Sequence, residues 1–178
     1  MKRTFFLALS LLLAPVTALA TRGPSTPAER RKAVEATRKL EQEPLAPGAN
    51  ASRKWLLQWI QEIPDINVRS CSGPLDSLAQ DQEGERHGRQ LYAQSVFGMA
   101  AFLVEHPRQK DDWVAVQAAG IESVLRAYRS LLKQEPGARW KELDLLLEAR
   151  QQGKLEQVIE ETMEGCGDEA QPAPGDAI

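Results

Sequence analysis

The residues best suited to chemistry stand close together in the chain: Glu105-His106 and, shortly after, Asp111-Asp112. Carboxylates and an imidazole brought to one place can hold a metal ion or move protons. The plainer reading gives Asp111 and Asp112 to a helix N-terminus and His106 to the end of the preceding helix, where each charge suits the helix dipole. Their spacing is not that of a metal motif, and no metal is expected there. Glu122 lies among apolar residues and resembles a buried general base. At a helical period, however, it shares a polar side with Arg126 and Arg129, and Glu122 to Arg126 is the favourable order for a surface ion pair of small energy.

Other chemistries find less. Ser70, Ser72, Ser77, Ser95 and Ser123 supply hydroxyls, but none sits in a G-x-S-x-G elbow or an S-x-x-K arrangement. The chain has no phosphate-binding glycine loop with its lysine, no H-E-x-x-H and no acidic calcium loop. Only His87 and His106 are available as imidazole bases. Trp55 and Trp59 share one helix face, an arrangement that can stack on a sugar ring, but Leu56, Ile60 and Ile63 beside them make that face core. Trp113 and Trp140 stand near helix starts and point to nothing specific. The expectation is therefore no catalytic residue and no cofactor.

The first twenty residues indicate where the protein works. Lys2 and Arg3 form a positive start, Phe5 to Leu13 an apolar core, and Ala18-Leu19-Ala20 a small-x-small cleavage site, the pattern of a secretory signal peptide removed after Ala20. The apolar run is too short to span a bilayer comfortably, so no membrane span is expected after cleavage. The destination read from this leader is the periplasm or the outside medium. Cys71 and Cys166 are the only cysteines. In an oxidising compartment they are expected to form one disulfide, because neither has a Cys or His neighbour at ligand spacing.

With 22 basic and 25 acidic residues the chain carries a net charge of −3. Loss of Lys2 and Arg3 with the leader makes it −5, which argues against nucleic acid, whose binding rests on basic contacts to phosphate. Leu, Ala, Glu, Gln and Arg dominate, and the mature length fits one all-α domain. Residues 21–26 read as a linker, 27–167 as the helical domain and 168–178 as a disordered tail.

Within the domain about six helices are expected. Ser25 or Thr26 caps the first, with Pro27 and Glu29 in its first turn. Its apolar face of Ala33, Val34, Thr37 and Leu40 is thin, so it is expected on the surface of the bundle. Asn50 can cap the amphipathic second helix, which Pro64 ends. Asp65 to Arg69 then alternates like an extended segment, Ser72-Gly73-Pro74 turns, and a short helical piece is expected near Leu75 to Leu78.

From Arg89 to Glu105 the wheel is apolar almost all round, which marks a central helix. Its one non-bulky stripe is Gln94, Gly98, Ala101 and Glu105, where another backbone can come close. The next helix, capped by Asp111 or Asp112, runs to about Glu135 and folds back as an antiparallel partner. Gly98 and Gly120 lie equally far from the loop centre at Gln109, so the two helices are expected to touch there. A fifth helix around Leu143 to Leu147, a turn at Gly153 and a sixth helix ending at Cys166-Gly167 complete the domain.

Two stretches carry a resemblance: Trp59 through Pro64-Asp65-Ile66 to Cys71, and Phe97 to Phe102 through Glu105-His106-Pro107 to Ala119-Gly120-Ile121-Glu122-Ser123. Over about the middle half of the chain they resemble a group of small secreted bacterial helical proteins with no assigned activity, a likeness that implies fold and compartment and brings no catalytic residues. The functional expectation is an exported interaction protein binding another protein or peptide of the cell envelope. The alternatives are an envelope-stress, chaperone-like protein that opens in acid, and a hydrolase-type enzyme using Glu105, His106 and Asp111.

Overall fold

Thr26 opens the first helix because its side chain accepts the Glu29 N–H while the Glu29 carboxylate accepts the Thr26 N–H, a reciprocal cap completed by Pro27 in the first turn. A computed structural model of the chain describes residues 22–81, 87–163 and 166. The leader, residue 21, and the tail from 168 lie outside the described residues. The described part is one all-α domain: α1 (Pro27–Gln42), α2 (Ala49–Glu62), α3 (Asp76–Ala79), α4 (Gly88–Glu105), a 3₁₀ turn (Pro107–Gln109), α5 (Trp113–Gln134), α6 (Lys141–Gln151) and α7 (Leu155–Thr162). The short α3 is the helical piece expected near Leu75 to Leu78, beside the six helices read from the periodicity.

The centre is the antiparallel pair α4 and α5, whose mutual contact is the most extensive in the fold. A Cβ placed on Gly98 would come within 2.9 Å of the Ala119 carbonyl oxygen, and one on Gly120 within 3.0 Å of the Ser95 carbonyl oxygen. As one partner ascends the other descends, which is the register of a hairpin centred near Gln109. Only glycine lets the two backbones approach this far at these heights.

Three apolar clusters surround the pair. One joins α3, α5, α6 and α7 through Leu78, Tyr128, Leu143 and Ile159. A second fills the space between α1, α2 and α4 with Leu40, Leu56, Trp59 and Phe97. The third is small: Met99, Leu103 and Val116, with Ile66 and Val68 of the extended segment packed over it. The Cys71–Cys166 disulfide, with Cα atoms 5.9 Å apart, ties the end of that segment to the residues after α7.

One sequence expectation, the cap of α2, is corrected, and two others are refined. Helix α1 lies on the outside of the bundle with Arg31, Lys32, Glu35 and Lys39 exposed, and it docks on α4 and α5 through the buried Ala33, Thr37, Leu40 and Glu41. Its inward face was read as thin because two of its buried residues are polar and are satisfied by hydrogen bonds, which hydrophobic periodicity does not register. Asn50 does not cap α2, which starts at Ala49 after Gly48 in a left-handed conformation, φ 89°. The Asn50 carboxamide instead accepts from Arg53 Nη1 at 2.9 Å. Helix α4 starts at Gly88, close to the expected start near Arg89, and the Gly88 N–H donates to Asp81 Oδ2 at 2.7 Å.

Candidate functional site

Pro64 ends α2, and the chain runs extended from Asp65 into the turn before α3. Exposure alternates along this stretch: Ile66 and Val68 are half-buried over the third cluster while Asp65, Asn67 and Arg69 face outward. Among the described residues no strand lies beside it, and the backbones of Asp65, Ile66, Asn67 and Val68 make no hydrogen bond to another backbone group. An extended backbone with unpaired N–H and C=O groups is a template for a further strand.

The segment forms one wall of a cleft of about 680 Å³. Leu103, Val116 and Trp113, from the facing ends of α4 and α5, supply the apolar lining. Arg30, Lys110, Asp111 and Arg69 supply charge at its margins, and Cys166 also lines it. The wall is anchored at both ends. Asp65 accepts from the Ser25 N–H and hydroxyl, each at 2.7 Å, and from Arg30 Nη2 at 2.8 Å. Burial pushes its carboxyl upward, but the bonds from Ser25 and Arg30 outweigh this and leave its pKa below the usual 3.8. At the far end Gln117 Nε2 donates to the Arg69 carbonyl at 2.8 Å and lies 3.7 Å and 3.9 Å from the two disulfide sulfurs.

The titratable residues singled out in the sequence have separate partners. Glu105 receives Arg38 Nη2 at 2.8 Å, and the His106 ring lies against Phe102 with centroids 4.6 Å apart. Asp112 caps α5 by accepting the Ala115 N–H at 3.0 Å, leaving Asp111 on the margin of the cleft. No group of three or more His, Cys, Asp or Glu among the described residues is placed to hold a metal. Trp59 is buried and stacks on Trp55 at 5.9 Å, whose ring also carries the Lys32 ammonium at 3.9 Å.

Sequence reasoning missed a buried polar joint between α1 and the central pair. Glu41 Oε1 accepts from Ser123 Oγ at 2.6 Å, and Arg126 donates Nε to Oε2 at 2.8 Å and Nη2 to Oε1 at 2.9 Å. Gln94 Nε2 donates to Ser123 Oγ at 3.0 Å and reaches toward the Thr37 carbonyl at 3.4 Å. Arg126 was assigned to Glu122, which it does meet at 3.4 Å, but its shorter bonds go to Glu41. Glu122 is itself half-buried between Arg126 and Arg150. Ser123 is fully buried, so this cluster is glue and not an open catalytic centre. The available signal was the Gln94 stripe on α4, which marked the close approach without naming the helix that makes it.

No family model, curated protein or solved structure matches this chain.

Proposed function

We propose that this protein is an exported binding module that takes an extended segment of another protein or peptide into the cleft, beside residues 65–68. The observation that carries the reading is the extended backbone of residues 65–68, held at both ends and without a backbone partner among the described residues, on the wall of an open cleft. Main-chain hydrogen bonds would give affinity, and the apolar lining at Leu103, Val116 and Trp113 would receive alternate side chains of the ligand. The disulfide is compatible with a periplasmic or secreted location, and no helix among the described residues is long and apolar enough to cross a membrane.

The test is a screen of extended decapeptides against the oxidised protein, followed by amide hydrogen exchange on any complex. The reading expects a ligand that slows exchange at alternate amides among Ile66, Asn67 and Val68 and changes Trp113 fluorescence. Ligands that leave these amides untouched, or a stoichiometric small molecule filling the cleft with no peptide bound, would overturn it.

One observation favours a second reading, the acid-opened chaperone. Glu41 is a buried carboxylate that ties α1 to α5, so its protonation would loosen a helix whose Leu40 packs in one cluster with Phe97. Unchanged compactness and no dye binding in acid would discard it.

A further inference from the structure

We propose that a small cavity between the α1–α2 loop, α2, α4 and α5 is a binding site for one monatomic anion, chloride, with Arg53 as the cation that holds it. The cavity shares no lining residue with the cleft, so this site stands apart from the peptide reading.

Arg53 is the anomaly that leads there. A guanidinium stays charged throughout the pH range of a folded protein, and burying it without a counter-charge is costly. Arg53 keeps only 9% of its surface exposed. Its Nη1 donates to Asn50 Oδ1 at 2.9 Å and its Nη2 to the Pro44 carbonyl at 2.6 Å, both neutral acceptors, while Nε has no partner. Burial pushes the pKa of the guanidinium below its ordinary value, and no acidic group acts to raise it again. The other buried charge among the described residues, Glu41, is matched by Arg126. Arg53 alone lacks an opposite charge within the fold, and such a group calls for an explanation.

The cavity beside it has a volume of about 10 Å³, room for one water-sized occupant. Leu45, Leu91, Ala127 and Leu131 give it apolar walls. Gln90, from the first turn of α4, also lines it. Gln90 Oε1 meets His87 Nδ1 at 3.2 Å, which leaves the Gln90 amino group as a second donor with no partner among the described residues. The His87 ring is held from its other side by Glu135 Oε2 at 2.8 Å, and His87 is the one described residue other than glycine with a positive φ, 59°. Its side chain does not cap α4, so the positive end of that helix adds to the potential where Gln90 and Leu91 meet the cavity.

A charged donor and a neutral one between apolar walls suit a spherical anion, which accepts from both and donates nothing. Water is the competing occupant, but its own protons need acceptors. Asn50 Oδ1 and the Pro44 carbonyl already receive Arg53, and Gln94 directs its amino group to Ser123 at 3.0 Å, leaving its carbonyl as the acceptor for water. Polyatomic anions such as sulfate exceed the volume. An anion that binds only the folded chain stabilises it by mass action, and for a Kd of about 10 mM, chloride at about 0.2 M favours the folded state about 20-fold.

The experiment melts the full oxidised protein in sodium chloride and in sodium gluconate at equal ionic strength, gluconate being too large for the cavity. The expected result is a saturable rise of about 4 to 7 °C in chloride, absent from Arg53→Gln. Gln90→Glu keeps Arg53 and brings a carboxylate to the cavity, so it should melt higher than the parent in gluconate and lose the response to chloride. Crystals of the parent grown in sodium bromide should show one anomalous peak within about 3.5 Å of Arg53 Nε. A water molecule there with no bromide, or a chloride response of equal size in the parent and Gln90→Glu, would overturn the proposal.

Discussion

Replacing Glu41 by Gln tests whether one carboxylate holds α1 in the fold. Oε1 receives Ser123 Oγ at 2.6 Å, Arg126 Nη2 at 2.9 Å and Arg38 Nη1 at 2.9 Å, while Oε2 receives Arg126 Nε at 2.8 Å. Glutamine fits the same space, but whichever way its amide turns, the NH₂ meets a guanidinium N–H of Arg126. Hydrogen bonds to charged groups contribute about 1.5 to 3 kcal/mol each. Arg126 keeps 39% of its side chain exposed and can turn partly to water, which reduces the loss. The expected destabilisation at neutral pH is about 2 kcal/mol, or a melting temperature lower by about 4 to 8 °C for a domain of this size. Burial pushes the Glu41 carboxyl upward, yet the bonds from Arg126 and Ser123 outweigh it and hold the pKa below the usual 4.5. A depressed folded-state pKa means that the stabilisation is complete above the unfolded value and disappears as pH falls through the folded one. Urea unfolding of Glu41→Gln and the parent at a series of pH values should therefore show a gap that closes in acid. A gap below about 0.5 kcal/mol at neutral pH, or one that stays constant in acid, would refute the reasoning.

Gly98→Leu should cost at least about 3 kcal/mol, the upper end for overpacking, because the new side chain meets the α5 backbone at Ala119; thermal melting reads this directly. Replacing both Cys71 and Cys166 by Ser should remove about 4 to 5 kcal/mol by chain entropy, given their separation of 95 residues, measured by urea unfolding against the oxidised parent. Tyr128→Phe should cost about 1 to 2 kcal/mol in the same assay, since the buried hydroxyl accepts the Trp140 N–H at 2.9 Å and meets Asp144 Oδ1 at 3.0 Å.

Much of the scaffold was legible because it follows local rules. The Thr26 cap, the mostly apolar wheel of α4, the paired glycines and the two cysteines each carry their meaning in residue type and spacing. The polar joint that seats α1 was not legible. Glu41 reads as polar surface, and its burial depends on Ser123 and Arg126, which lie 82 and 85 positions away along the chain, while the partner of the Thr37 carbonyl, Gln94, lies 57 away. Arg53 follows the same rule: its charge suits an exposed position on α2, yet it is buried and donates Nη2 to the Pro44 carbonyl at 2.6 Å. For the cleft, the alternation from Asp65 to Arg69 announced an extended segment. Nothing in the residues announced that no neighbouring strand would come to it, since that is decided by the packing of helices elsewhere.

The docking of α1 also bears on the order of events in folding. Its docking surface is made by α4 and α5, whose own contacts close across a short loop near Gln109. Short loops close early and at low entropic cost, whereas contacts spanning some eighty residues form only after the intervening chain has been organised. The first helix of the domain is thus among the last to find its place, waiting for the hairpin that will hold it. Its polar joint then belongs to the late side of the transition state, where Glu41→Gln speeds unfolding far more than it slows folding. The network at Glu41 sets how long the finished protein keeps its shape, and has little influence on how soon it acquires it.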